Sequence, residues 1–196
     1  MGVRLAVALA ALIVAGAASA GEIRKPAPMR FQSVVRTSTQ SIYNFPDVGH
    51  YYSGVYTQAG YEQNPSIPAA DRAKLERIDL QKHFVITAEY RSRTSGWSIR
   101  IRRIELRRVN RSRREFCVFV HVGRPGPGQA IVQREYENIE YVQLLSKPFR
   151  IDEFHWSIPT ATVMLTTTGT VLYRSTEGTD QHNRPIVTGS AKTCRR

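Results

Sequence analysis

The sequence has few residues of the kinds that bind metals or carry out thiol chemistry. Its 196 residues include two cysteines and five histidines. The histidines stand singly, without the short spacing typical of metal ligands: His50, His83, His121, His155 and His182. Nucleophile elbows, P-loops, Cys-x-x-Cys pairs and dinucleotide-binding glycine motifs are also missing. We therefore predict a protein that is not an enzyme, with no catalytic residues, no metal site and no cofactor.

Long apolar runs are equally scarce, and the one that exists lies at the N-terminus. Arg4 precedes an uncharged stretch from Leu5 to Ala18, and Ala18-Ser19-Ala20 has the small residues of a cleavage site. This pattern predicts a signal peptide over residues 1–20. The alternative is an uncleaved anchor, but a span needs about 20 apolar residues. We expect an exported protein, periplasmic or secreted, without a transmembrane span after cleavage.

Export changes the interpretation of the two cysteines. An oxidising compartment favours a structural disulfide between Cys117 and Cys194. In the chain-entropy model a loop of this size contributes roughly 4–5 kcal/mol. The alternative is two unpaired thiols.

Alternating apolar and polar residues predict strands over most of the chain. They cover 84–90, 97–106, 116–122 and 139–145, with a hairpin about Gly169. The alternation slips at Arg102-Arg103, which predicts a β-bulge. Pro68 begins a short helix that continues to Leu75, and the polar residues 21–40 are expected to form a loose lead-in. The fold class is mostly β: an antiparallel sheet or small β-sandwich with at most one or two short helices.

Basic residues greatly outnumber acidic ones, and the excess is local. The chain has 28 Lys and Arg against 16 Asp and Glu, and residues 91–114 contain ten arginines with one acid, Glu105. The candidate binding residues here are Arg100, Arg102, Arg103, Arg107 and Arg108. They indicate either an anion-binding surface or a solvated strand face that protects a sheet edge. Because no RNA- or DNA-binding motif is present, we predict no nucleic acid partner.

Two further clusters allow two interpretations each. Residues 41–61 contain six aromatics among small polar residues; this composition is typical either of a recognition loop or of a strand that covers a core edge. Glu135, Glu137 and Glu140 form an acidic cluster, which we expect on a solvated face or opposite the arginines across a sheet.

Four short motifs between Ile78 and Lys147 have the order and the spacing seen in one known family. They are the stretch from Ile78 to Ile86, Thr94-Ser95-Gly96-Trp97, Pro125-Gly126-Pro127-Gly128, and the segment from Tyr136 to Leu144. Together they resemble the C-terminal domain of the protease-complex subunit PrcB family, a set of exported bacterial proteins. The resemblance implies a β-rich, non-enzymatic module that associates with an exported protease and stabilises or modulates it.

These patterns divide the chain into a signal peptide (1–20), a Tyr-rich N-terminal extension (21–77), a PrcB-like β domain (78–147), and a C-terminal hairpin and tail packed on that domain (148–196). We expect an exported binding or stability module whose partner is a protease or another envelope protein. Loops on a rigid β scaffold commonly carry binding, so the candidate contact residues are Gly96, Trp97, Pro125, Gly126, Pro127 and Gly128. The alternative is an envelope polyanion binder, for lipopolysaccharide or anionic lipid, that uses the arginines.

Overall fold

The computed structural model describes residues 26–41, 49–56, 67–108, 114–146 and 160–175. Within these ranges the chain forms nine strands and one helix: β1 Ala27–Met29, β2 Phe31–Gln40, β3 Tyr51–Tyr56, α1 Ala69–Leu75, β4 Val85–Ser92, β5 Ser98–Arg108, β6 Arg114–Gly123, β7 Tyr136–Leu144, β8 Thr160–Thr166 and β9 Val171–Ser175. This content confirms the predicted fold class, mostly β with one short helix. Among the described elements, no helix has the length and apolar character that spanning a membrane requires.

The strands form two sheets that pack face to face. The five-stranded sheet has the order β1-β5-β6-β8-β9, and the four-stranded sheet has the order β2-β7-β4-β3. All pairs are antiparallel except β6 and β8, which run parallel. Strands from residues 27–56, 85–144 and 160–175 therefore share the same two sheets. β6 lies third of five, at the centre of its sheet.

The main core fills the space between the sheets. Alternate residues of each inner strand point inward, as the period of two requires, and the fully buried ones include Phe84, Ile86, Phe116, Val118 and Leu144. The outer face of the four-stranded sheet is apolar in its middle and is covered by α1. There Leu75 belongs to a second buried cluster with Val85, Ile139 and Tyr141. Pro68 precedes the first helical residue, where its missing N–H costs nothing.

Residues 26–40 differ from the loose lead-in expected of them. They form β1 and β2, and β2 pairs with β7 from Phe31↔Leu144 to Gln40↔Tyr136. Since β2 is an edge strand with a largely exposed polar face, only Val35 among its residues is fully buried. The hydrophobic alternation that marks a strand is therefore absent from its sequence.

The Tyr-rich segment contributes an edge strand to the four-stranded sheet. Tyr51 to Tyr56 form β3, with Tyr51 and Tyr56 half-buried, which is the arrangement of a strand that covers a core edge. Thr162 on β8 donates a hydrogen bond to the Ser53 carbonyl at 2.8 Å, so this edge also joins the two sheets. Residues 42–48 and 57–66 of the Tyr-rich region lie outside the described residues, as does the predicted signal peptide.

Candidate binding site at one end of the sandwich

The two loops predicted to carry contacts lie at the same end of the sandwich. Loop 93–97 leads into β5 and loop 124–135 follows β6, and the pairing of Ser98 with Gly123 brings them together. The Ser95 N–H donates to the Val132 carbonyl at 3.0 Å, and the Val132 N–H donates to Ser95 Oγ at 2.8 Å. These reciprocal bonds hold the loops to each other. We call these two loops, with the turn 167–170, the loop end.

Glycine is required where the loops touch. Gly96 has φ +83°, and a Cβ there would lie 3.2 Å from Pro125 Cβ and 3.1 Å from Gln129 Nε2. Neither the left-handed backbone nor the close approach suits a residue with a side chain. Gln129 in turn accepts a hydrogen bond from the Gly126 N–H at 3.0 Å. The candidate contact residues Gly96, Trp97 and 125–128 are thus brought into one region.

Three aromatic rings form a row beside these loops. Tyr51 on β3 and Tyr90 on β4 are register partners, and their rings stack with centroids 4.8 Å apart. The Trp97 ring continues the row, 5.3 Å from Tyr90, and its Nε1 donates to Thr94 Oγ1 at 3.0 Å. The row supplies aromatic surface held by two strands and a turn, so the rings are oriented before any ligand arrives.

The ring row forms one wall of a cleft of about 330 Å³. The other lining residues come from β6, β8, β9 and the loop after β6: Val120, His121, Val122, Arg124, Thr166, Thr167 and Leu172. The Arg124 guanidinium carbon lies 6.0 Å from the Trp97 ring centroid, at the outer limit of a cation–π contact. Burial raises the pKa of Tyr51 and of Tyr90, and the positive charge of Arg124 opposes that rise in both.

The outer surface of the loop end combines apolar and basic side chains. Ile131 is 45% exposed and Val132 is 50% exposed. Arg93, Arg124 and Arg134 on the same loops are also exposed. An apolar centre with arginine around it is typical of protein-binding surfaces, where aromatic residues and arginine are enriched.

The arginine candidates on β5 do not form one surface. Arg100 and Arg102 are exposed. Arg103 lies 3.9 Å over the Phe119 ring, with its Nε 3.3 Å from Glu105 Oε1. Arg107 is buried, with a terminal nitrogen 3.8 Å from Glu105 Oε2. The side chain of Arg108 lies outside the described residues.

The expectation that the acidic cluster lies on a solvated face is wrong for Glu137 and Glu140, which are 3% and 1% exposed. The reason is that β7 lies between β2 and β4 in its sheet, so side chains of neighbouring strands flank both carboxylates; Glu137 accepts a hydrogen bond from Ser41 Oγ at 3.3 Å. Glu140 points between the sheets. It accepts hydrogen bonds from Ser33 Oγ at 2.8 Å, from Arg36 at 2.8 and 3.2 Å, and from the Ile101 N–H.

That last contact lies beside the predicted β-bulge, which is confirmed. The β5–β6 register shifts between Ile101 and Arg103, so Arg102 is the extra residue. Glu140 therefore connects the bulged strand of one sheet to β2 and β7 of the other. Glu140 of the acidic cluster therefore reaches the arginine-rich strand across the sandwich, through a backbone N–H, and not across a sheet.

Cys117 is fully buried in β6, whereas Cys194 lies outside the described residues. The disulfide therefore stays a prediction. Among the described residues, no group of three or more His, Cys, Asp or Glu side chains is placed to hold a metal ion.

The ring row and the cleft were not found by sequence reasoning, apart from Trp97. Tyr51 and Tyr90 are 39 positions apart, and only the β3–β4 register brings them together. The concentration of tyrosines in residues 41–61 was the one available signal.

Comparisons with protein-family models, curated proteins and solved structures give no match to this chain. The PrcB resemblance therefore stays a prediction that depends on the motifs themselves. What the site can do is read from its geometry, which offers aromatic faces, a guanidinium and hydroxyls: groups that recognise a ligand by stacking, charge and hydrogen bonding.

Proposed function

We propose that this protein is an exported, non-enzymatic binding module that contacts a partner protein through the loop end. The observation that carries the proposal is the mutual anchoring of loops 93–97 and 124–135. It presents exposed Ile131 and Val132 beside arginines at one end of a rigid sandwich. The partner class that the PrcB resemblance implies is an exported protease, which the module stabilises or modulates.

Anchored loops favour binding for an energetic reason. Association must offset the entropy lost when interface side chains and loops become ordered, about 0.5–1.5 kcal/mol for each immobilised flexible side chain. The Ser95–Val132 hydrogen bonds and the Gly96–Pro125 contact have already restricted these loops in the free protein. Most of the entropy cost of ordering these loops has therefore been offset during folding, before a partner binds.

The second candidate, a polyanion binder at the envelope surface, has less support from the described residues. Of the four arginines whose side chains are described, Arg100 and Arg102 are exposed, whereas Arg103 and Arg107 are engaged with Glu105. Two exposed guanidinium groups on the described part of the strand neutralise little charge, and exposed charge contacts weaken as salt rises. Salt dependence therefore separates the two candidates.

The experiment is affinity capture of the mature chain from the exported fraction of its own host, at low and high salt, with identification by mass spectrometry. Val132→Asp places a charge in the proposed contact surface. Leu145→Asp is the matched control, because Leu145 is 48% exposed and lies at the opposite end of the sandwich. We expect the native chain and Leu145→Asp to retain a protease at high salt, and Val132→Asp to lose it.

A purified pair then tests the consequence. The captured protease should survive longer against self-degradation, or change its rate, with the native module than with Val132→Asp. The proposal fails if Val132→Asp and Leu145→Asp capture the same proteins equally. It also fails if every retained species is an anionic lipid or polysaccharide that is released as salt rises, and this result would favour the arginine strand.

A further inference from the structure

We infer that the cleft beside the ring row binds the last residue of a polypeptide chain, with its free carboxylate on Arg124 and its large apolar side chain on the rings. This inference rests on the proposed function, because it names what the partner protein presents to the loop end. Three observations carry it: the charge in the cleft, the row of rings, and the size of the cavity.

The charge of the cleft selects an anion. Arg124 lines it, and no Asp or Glu is among the described residues that do so. Arg124 is exposed and takes part in none of the ion pairs between described residues. A guanidinium offers planar paired donors that match the two oxygens of a carboxylate. A cationic ligand, which an aromatic cage would otherwise suit, would be repelled by Arg124.

The ring row selects an apolar body attached to that anion. Tyr51, Tyr90 and Trp97 are in contact with one another through ring faces and edges, and Leu172 lines the cleft with them. An aromatic side chain gains ring contacts against such a wall. Inorganic phosphate or a free acetate has no group that would use it.

The size and the position of the cleft select a chain end. About 330 Å³ is near the lower limit of ligand pockets, so it has room for a terminal residue but not for a folded element. Thr167 adds a hydroxyl that can bond to the terminal amide, whereas Thr166 Oγ1 already bonds to Thr168 Oγ1 and accepts from the Thr170 N–H. Arg124 belongs to loop 124–135, which also carries the exposed Ile131 and Val132. A partner bound there can place its C-terminus in the cleft.

Calorimetric titration of the purified full chain with short synthetic peptides tests this inference. The probe is an N-acetylated pentapeptide that ends in phenylalanine with a free carboxylate; its matched control is the same peptide with a C-terminal amide. We expect the amide to bind about tenfold more weakly or worse, because it loses the charge-assisted pair with Arg124. Replacing the terminal phenylalanine by glycine should weaken binding comparably.

Variants locate the effect. Arg124→Ala should weaken the acid peptide about tenfold or more and remove the preference for acid over amide, whereas Arg124→Lys should keep part of that preference. Arg30→Ala is the matched control, since Arg30 is an exposed arginine at the opposite end, and it should bind as the native chain does. Arg124 lies on an exposed loop outside the core, so the Arg124→Ala variant is expected to fold.

Three results would overturn the inference: no binding of the acid peptide, equal binding of acid and amide, or inorganic phosphate or glucuronic acid competing with the peptide at equal or lower concentration. Failure here is distinct from failure of the proposed function. If Val132→Asp abolishes capture of the partner while the peptides do not bind, the loop surface stands and the cleft inference falls. If the peptides bind but Val132→Asp captures the partner as well as the native chain does, the cleft inference stands and the loop surface falls.

Discussion

Replacing Glu140 by glutamine should destabilise the fold far more than an isosteric change usually does. One carboxylate oxygen accepts from Ser33 and Arg36, and the other accepts from the backbone N–H of Ile101. An amide keeps the shape but has one acceptor oxygen. Whichever way the amide turns, an NH₂ group faces a donor, and Arg36 loses its counter-charge.

The magnitude follows from the burial of each group. Hydrogen bonds to charged groups contribute about 1.5–3 kcal/mol each, and an orphaned buried donor costs about 1–3 kcal/mol. The Arg36 side chain is 41% exposed, so water compensates part of its loss. We expect a net cost of about 2–3 kcal/mol, below the 3–5 kcal/mol for breaking a fully buried pair. With a urea m-value of about 2 kcal/mol/M, the midpoint should fall by about 1–1.5 M.

Urea unfolding followed by fluorescence measures this shift. Glu76→Gln is the matched control, because it makes the same change in net charge at an exposed residue after α1; its midpoint should stay close to that of the native chain. Arg36→Ala should also destabilise, because it leaves the buried Glu140 carboxylate without its counter-charge, although the Ser33 and Ile101 donors keep their acceptor. The reasoning is refuted if Glu140→Gln unfolds with the control.

Gly96→Ala should lower stability more than Gly128→Ala in urea unfolding. Both positions have positive φ, which costs about 1–2 kcal/mol for alanine, but only at Gly96 would the new Cβ also press against Pro125 and Gln129. Equal costs would mean that these neighbours move aside without an energetic penalty. If Cys117 and Cys194 are paired, the denatured, unreduced chain should show no free thiol when titrated with a thiol reagent. Cys194→Ser should then lower the free energy of unfolding by about 2–5 kcal/mol. Two reactive thiols would contradict the pairing. Burial, with smaller effects of Tyr52 and Glu89, raises the pKa of Tyr173 to about 12. The folded state therefore keeps a proton that the unfolded chain releases near pH 10, so stability falls as the pH rises from 10 towards 12. Tyr173→Phe should lessen that fall in urea unfolding at pH 9 and pH 11, and an unchanged pH dependence would count against the assigned burial.

The strands that sequence reasoning located are those with at least one apolar face. β5 shows the period of two, whereas β6, a central strand, is buried on both faces and has an almost continuous apolar run. The hairpin about Gly169 was visible for another reason: its turn needs φ +92°, a conformation that glycine adopts without strain.

What could not be predicted depends on pairing between distant residues. β2 has the sequence of a polar segment because most of the buried side chains of this strand pair belong to its partner, β7. No feature of the β2 sequence itself identifies that partner. Glu140 looks like a surface acid until β5 is placed opposite it. The row of Tyr51, Tyr90 and Trp97 exists because of a register, and a register is a property of two strands rather than of one.

The bulge at Arg102 links these observations and explains why the loop end is well defined. A one-residue change of register moves every side chain to the other face of a strand. Without the extra residue, Ile104 could not face the core together with Ile99 and Ile101, although all three are buried. The bulge lets both halves of β5 point inward, and Glu140 fixes its position by accepting the Ile101 N–H. Trp97 immediately precedes the first residue of this strand, so the placement of β5 also sets where Trp97 lies relative to Tyr90. We therefore expect Glu140→Gln to disturb the cleft as well as to lower the stability of the fold.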